Sequence, residues 1–308
     1  MKRQQAIGAL KALVAACAIA LTGAAQAEFI SPGITINGSK PTKDGSYSGY
    51  TYNSGVFTLT TAGKTYTFAG EDTSGKVRIV AAADCTISLA ENFKLDLRKF
   101  TTTSAYDAPK ASPISLTGNV SVTVNGSGRA YLYGGHGGPG IRVAGGQTLY
   151  VTGSEIYAYG GSSGAGIGSG YNEKTGCGNI YLRGFVYAEG GRDGCGIGLG
   201  GHSTGDGAII VDQGTASVGA RGAYPAAGIG TSDSATGTMT INISAGIVHA
   251  EQSSHAAAIG TGRAASGTCR INISGELSLP MSGAKAARAS APEDGRPARP
   301  PLTSRAAR

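Results

Sequence analysis

The chain has 308 residues, 52 of them glycine and none tryptophan, with a formal net charge of +7. That charge sits at the ends: Lys2, Arg3 and Lys11 precede residue 28, while Lys285, Arg288, Arg296, Arg299, Arg305 and Arg308 outnumber Glu293 and Asp294 after residue 280. Residues 28–280 carry 17 basic and 17 acidic side chains, so there is no basic body to neutralise phosphates, and nucleic acid is excluded as a partner.

The opening MKRQQAIGALKALVAACAIALTGAAQAEF has two basic residues, an apolar stretch from Ala12 to Leu21 and AQA before Glu28. This is the pattern of a secretory signal peptide, with cleavage after Ala27. VAAC also fits a lipoprotein processing site that would place a lipid on Cys17, but AIALTGA continues the apolar run beyond it, which argues against an anchor. No later apolar run approaches the roughly 18–20 residues a membrane helix needs. The expectation is an exported chain, periplasmic, cell-surface or secreted, without a transmembrane helix.

Four cysteines follow the cleavage point, Cys85, Cys177, Cys195 and Cys269, and four allow three disulfide connectivities. None has the CxxC or Cys/His spacing of a zinc site, and His136, His202, His249 and His255 show no metal-ligand spacing. No metal or other cofactor is expected.

Residues 28–70 read as N-terminal strands that cap an otherwise exposed sheet edge. GVFTLTT, KTYTFAG, KVRIVAA, CTISLAENFKLDLRKF and SPISLTG alternate apolar and polar residues as strands do. From there the chain repeats itself. GPGIRV, GAGIGSG, GCGIGLG, AAGIGTS and AAIGTG place isoleucines at 141, 167, 197, 229 and 259, spaced 26, 30, 32 and 30 residues apart, and Ile114 lies 27 residues earlier. Each is followed by a second alternation, beginning at Val122, Leu149, Ile180, Ile209, Ile241 and Ile271, and then by a third, such as AYLY, IYAY and VYAE.

Three short strands per unit of about 30 residues, joined by Gly, Ser, Asn and Asp turns, describe one coil of a parallel β-helix. The predicted fold is all-β, with the helix spanning residues 71–280. Its isoleucine, second-strand and third-strand columns point inward. Ala165, Cys195, Ala227 and Ala257, two residues before each column isoleucine, are expected to be small because they also turn inward. Residues 281–308, almost free of large apolar side chains, cannot bury a core and read as a disordered basic tail or the out-of-frame or truncated end of a longer protein.

The repeat disposes of one tempting motif. GCGIGLGG contains G-x-G-x-x-G, with Gly196, Gly198 and Gly201, but a dinucleotide site needs a helix directly after it. HSTGDGAIIVDQG is turn-like and then strand-like. The glycines are read as architecture.

SPISLTGNVSVTVNGSGRAYLYGGHGGPGIRVAGGQTLYVTGSEIYAYGGSSGAGIGSG resembles the Gly-rich β-helix modules of bacterial exported and surface proteins, of pectin-lyase-like architecture. The similarity covers roughly residues 50–279. It implies a right-handed helix, and a superfamily holding polysaccharide lyases, hydrolases, carbohydrate-binding proteins and adhesins. Fold alone does not choose among these.

For an enzyme, Gly135-His136-Gly137 matches the GHG of β-helix polygalacturonases, but the NTD and DD aspartates of that family are absent. Lyases of this fold hold Ca²⁺ with clustered carboxylates, whereas the acids here are scattered. Glu189 and Glu251 both lie 22 residues after their column isoleucines, two coils apart, with Gly219 expected between them. That spacing, about 9.6 Å, is near the wide end of the range for inverting hydrolysis.

For a binder, the third strands stack Tyr131, Tyr157 and Tyr187 in one outward column, with Tyr133, Tyr159 and Glu189 beside it. A row of rings suits a linear glycan. Outward aromatic ladders also stabilise sheets without a ligand, the preferred reading for Tyr150 and Tyr181 on the second strands. The leading expectation is a non-catalytic exported protein that binds polysaccharide or a host or cell-surface protein. The alternatives are a polysaccharide-degrading enzyme and a structural rod.

Overall fold

The computed structural model describes residues 29–100, 111–153, 155–251 and 253–274. The expected signal peptide 1–27, Cys17, the expected third alternation at 277–279 and residues 281–308 lie outside them. The described residues contain strands and no helix, hence none long and apolar enough to cross a membrane.

The strands wind as a parallel β-helix with three faces. The first face stacks Val56–Leu59, Arg78–Ala81, Ile114–Leu116, Ile141–Arg142, Ile167–Gly168, Ile197–Gly198, Ile229–Gly230 and Ile259–Gly260, which number the coils 1 to 8. The second face stacks Cys85–Leu89, Ser121–Gly126, Thr148–Val151, Gly178–Leu182, Gly207–Val211, Met239–Ile243 and Cys269–Ile273 on coils 2 to 8. The third stacks Phe93–Asp96, Ala130–Tyr133, Ile156–Tyr159, Phe185–Glu189, Ser217–Arg221 and Ile247–Glu251 on coils 2 to 7. In coil 1 the nine-residue strand Lys64–Asp72 serves both the second and third faces.

Parallel pairing puts like on like. Ile114, Ile141, Ile167, Ile197, Ile229 and Ile259 occupy one column, as their spacing predicts. Ile79 and Phe57 extend it by two coils toward the N-terminus. The second-face column runs Val122, Leu149, Ile180, Ile209, Ile241 and Ile271. The third-face columns are smaller, with Leu132, Ala158, Ala188, Ala220 and Ala250 in register.

The parallel stacking begins at Val56. Ahead of it, Gly45–Tyr47, Tyr50–Asn53 and Val56–Leu59 form antiparallel hairpins, and Ile34–Ile36 pairs antiparallel with residues 68–70. Here the core is aromatic: Tyr52, Phe57, Tyr66 and Phe68 are fully buried, with Phe57 packed 4.6 Å from Tyr52 and 5.5 Å from Phe68. Tyr52 and Tyr66 each donate a phenol hydrogen bond to a main-chain carbonyl, of Ile30 and Gly49 respectively. Burying a ring with its hydroxyl satisfied avoids the cost of an orphaned polar atom.

One inward expectation is corrected. Ala165, Cys195 and Ala227 are fully buried, but Cys195 packs with Ala226 and Ala227 in a small cluster apart from the main core, and Ala257 is only half-buried. These residues line a corner, where Cys195 N–H donates to the carbonyl of Leu199 and Ala227 N–H to that of Thr231.

The glycines of GCGIGLGG and of the turn before it lie where the backbones of adjacent coils meet. Gly198 has φ +131°, and a Cβ on it would lie 2.0 Å from the Gly230 carbonyl oxygen of the next coil. A Cβ on Gly191 would lie 1.7 Å from the carbonyl oxygen of Gly161. No side chain fits where backbone meets backbone. Gly198→Ala should therefore destabilise the protein by about 3 kcal/mol, read as a fall in the urea midpoint. Gly214, with nothing within 4 Å of an added Cβ, provides the contrast. Gly214→Ala should change stability by no more than about 0.5 kcal/mol.

Candidate functional face

The third face holds the tyrosines. Register places Lys94, Tyr131, Tyr157, Tyr187, Gly219 and His249 in one outward column, and Asp96, Tyr133, Tyr159, Glu189, Arg221 and Glu251 in the next. All six residues singled out from the sequence, Tyr131, Tyr133, Tyr157, Tyr159, Tyr187 and Glu189, therefore share one surface.

The rings contact each other closely. Tyr133 and Tyr159 stack at 4.7 Å and 6°, Tyr131 and Tyr157 at 5.1 Å and 18°. Neighbouring strands are about 4.8 Å apart, so a flat ring on one coil falls at stacking distance from the ring above. Arg98 sits 4.3 Å from the centre of the Tyr133 ring while gripping Asp96 through Nη2–Oδ2 at 2.5 Å and Nε–Oδ1 at 3.0 Å. Burial pushes the Asp96 carboxyl up, but its hydrogen bonds and charge contact with Arg98 outweigh this and hold it below the usual carboxylate range.

The phenols of Tyr133, Tyr157, Tyr159 and Tyr187 stay protonated at neutral pH. Burial pushes Tyr159 up to about 12, with Tyr133 and Tyr187 adding to the effect, and burial likewise raises Tyr133, Tyr157 and Tyr187. Tyr157 and Tyr187 each direct the hydroxyl to a carboxylate two residues away, Glu155 at 3.2 Å and Glu189 at 3.3 Å. The face offers hydrogen-bond donors, carboxylates, guanidiniums and aromatic edges, arranged in rows.

The carboxylate pair needs a correction. The residue between Glu189 and Glu251 is Arg221, and Gly219 belongs to the tyrosine column. Coil 6 is two residues longer before its third strand, so counting from the isoleucine column slipped the register. Arg221 lies 3.7 Å from Glu189 and 3.7 Å from Glu251, and His249 Nε2 lies 3.2 Å from Glu251. A guanidinium bridges the two carboxylates where hydrolysis would need a water and a glycosidic oxygen.

His136 is exposed at the apex of a turn. Its neighbours lock that turn into the stack: Gly135 N–H donates to Ala111 at 2.7 Å, and Gly137 N–H to Ser162 of the next coil at 3.0 Å. Cys85, Cys177, Cys195 and Cys269 are all free thiols, so none of the three disulfide connectivities forms. Burial pushes Cys177 up to about 12 and Cys85 and Cys269 up to about 11, which keeps them in the thiol form. No cluster of three or more His, Cys, Asp or Glu side chains suited to a metal occurs among the described residues.

The second face carries the other ladder. Tyr150 and Tyr181 stack at 4.7 Å, and Arg183 lies 5.4 and 5.2 Å from their rings while holding Asp212 through two hydrogen bonds of 2.9 and 2.7 Å.

One feature escaped the sequence reading: a polar groove on the other side of the coil. A cavity of about 420 Å³ is lined by Ser115, Asn119, Arg142, Gln147, Glu173 and Thr175, among others. It meets a second of about 500 Å³ at Gly145 and Thr175. Arg142, 9% exposed, pairs with Glu173 at 2.9 Å and donates to the Leu116 carbonyl at 3.2 Å. The available signal was Arg142 itself, standing in a column where later coils place Gly168, Gly198 and Gly230.

Because Arg221 is half-exposed, its bridge should contribute little. Arg221→Met is expected to cost under about 1 kcal/mol in low salt, and less in about 1 M salt, by denaturant titration.

No protein-family model, curated protein or solved structure matches the chain.

Proposed function

We propose that this is an exported, non-catalytic β-helix that binds carbohydrate through its third face, in the manner of the Gly-rich surface modules it resembles. The observation carrying this reading is the register itself. Over successive coils, half-exposed phenols, carboxylates and a guanidinium recur on one face, already ordered by the sheet. A ligand meeting a preordered surface loses little affinity to side-chain ordering. Sugars use this mixture, with C–H faces against aromatics and hydroxyls to planar charged groups. Export rests on the pattern of residues 1–27.

Degradative chemistry has less support. Arg221 bridges the Glu189 and Glu251 carboxylates, and His136 sits in a turn fixed by stacking. A second reading, a structural rod or a protein-contacting adhesin, draws on a specific observation: the Tyr133 and Tyr159 rings cover each other's faces and are stabilised with no ligand at all.

A polysaccharide array separates the two. The purified protein should retain at least one glycan class, and Tyr131→Ala/Tyr157→Ala/Tyr187→Ala should weaken that binding at least about 10-fold, equivalent to about 1.4 kcal/mol. Retention of nothing by the wild-type protein would favour the rod.

A further inference from the structure

We infer that the sugar-binding subsite of this face centres on Tyr187, where the aromatic stack is broken over Gly219, and that it takes an uncharged pyranose. The inference rests on the carbohydrate reading above and narrows it to one place.

Most tyrosine faces on this surface are covered. Tyr131 and Tyr157 cover one another at 18°, Tyr133 and Tyr159 at 6°, and Arg98 covers the far side of Tyr133. A sugar approaching these rings meets edges. At Tyr187 the stack ends: its ring is tilted 42° from Tyr157 and 55° from Tyr159, with centroids 6.1 Å away in each case. The cause is the next coil. Gly219 is in register with Tyr187, and a Cβ there would lie 3.0 Å from Tyr187 Cδ2, so the ring leans across the place a side chain would occupy. The next side chain in the column is His249, two coils or about 9.6 Å along the axis. At the position in register with Tyr187, coil 6 supplies glycine in place of a ring.

The flanking column has the same shape. Phe185, Ser217 and Ile247 are in register, so Ser217 and Gly219 make a low floor between Phe185 and Tyr187 on one side and Ile247 and His249 on the other. Phe185 is 38% exposed and Ile247 51%. These are two of the five exposed large hydrophobics among the described residues, and they border the same trough. Along one end of it run Glu189, Arg221 and Glu251, with Tyr187 hydroxyl 3.3 Å from Glu189.

An aromatic platform with apolar shoulders and a row of planar hydrogen-bonding groups at its edge suits one sugar ring lying on Tyr187. Charge selects the kind of sugar. Two carboxylates against one guanidinium leave the rim acidic, so a uronate or sulfated unit is repelled and a neutral hexose is accepted.

The test is to finish the ladder. Gly219→Tyr adds the ring that coil 6 lacks, and Tyr187, a flexible side chain, can swing back beneath it. Affinity electrophoresis of the whole protein through gels containing a neutral glucan, a neutral galactan or polygalacturonate reads the result. The expected outcome is retardation by a neutral polymer, weakened at least about 10-fold in Gly219→Tyr and in Tyr187→Leu, while Gly214→Ala, away from the tyrosine columns and with open space around an added Cβ, stays within about twofold of wild type. Tyr187→Leu keeps an apolar side chain at the site and so covers the case in which Gly219→Tyr fails to fold. If the wild-type protein is retarded and both variants are retarded equally, the subsite is wrong while the carbohydrate reading stands. Retardation by polygalacturonate alone overturns the charge assignment. If no polymer retards the wild-type protein, both readings fall.

Discussion

Everything in this molecule depends on one constraint: each coil hydrogen-bonds to the next in parallel register, so a residue's neighbours above and below hold the equivalent position. Inward, this stacks isoleucine on isoleucine and lets a short, glycine-rich coil share a continuous core it could not bury alone. At the corners it sets carbonyl oxygens against the next backbone, and only glycine survives there. Outward, the same rule turns single tyrosines into ladders. Architecture and candidate binding surface are two products of one periodicity.

Much of this was legible in the sequence because periodicity is what a sequence records best. The isoleucine column from Ile114 to Ile259 and the tyrosine pairs on the third strand lie where alternation and spacing put them. Failures came where the repeat varies in length. Phe57 and Ile79 precede Ile114 by irregular intervals of 22 and then 35 residues, so the column hides its first two members. Arg221 escapes the count because coil 6 has a longer connection between its second and third strands, which shifts the register by two and matters more for a pair of charges than for a fold.

The groove beside Arg142 was illegible for a different reason. Its walls come from first-face strands and from the loops before the second face, and loops of unequal length leave no periodic trace. Buried Arg142 is paired by Glu173, which reaches back from the next coil, and donates to the Leu116 carbonyl. Such a pair costs desolvation on both sides and specifies position more than it adds stability. Chemistry outside the repeat has to be found residue by residue, because the stacking rule is indifferent to it.

The direction of the hydrogen bonds has a mechanical consequence. They run between coils, along the axis, while successive coils are joined covalently only by single turns. Tension applied to the two ends therefore loads one coil's bonds at a time, peeling the rod from an end instead of shearing many bonds together. Force across the axis meets strands whose covalent backbone lies in the plane of each coil. The molecule is soft along its length and stiff around its girth, and the antiparallel strand Ile34–Ile36, laid against Lys64–Asp72, fastens the first turn at the N-terminal end.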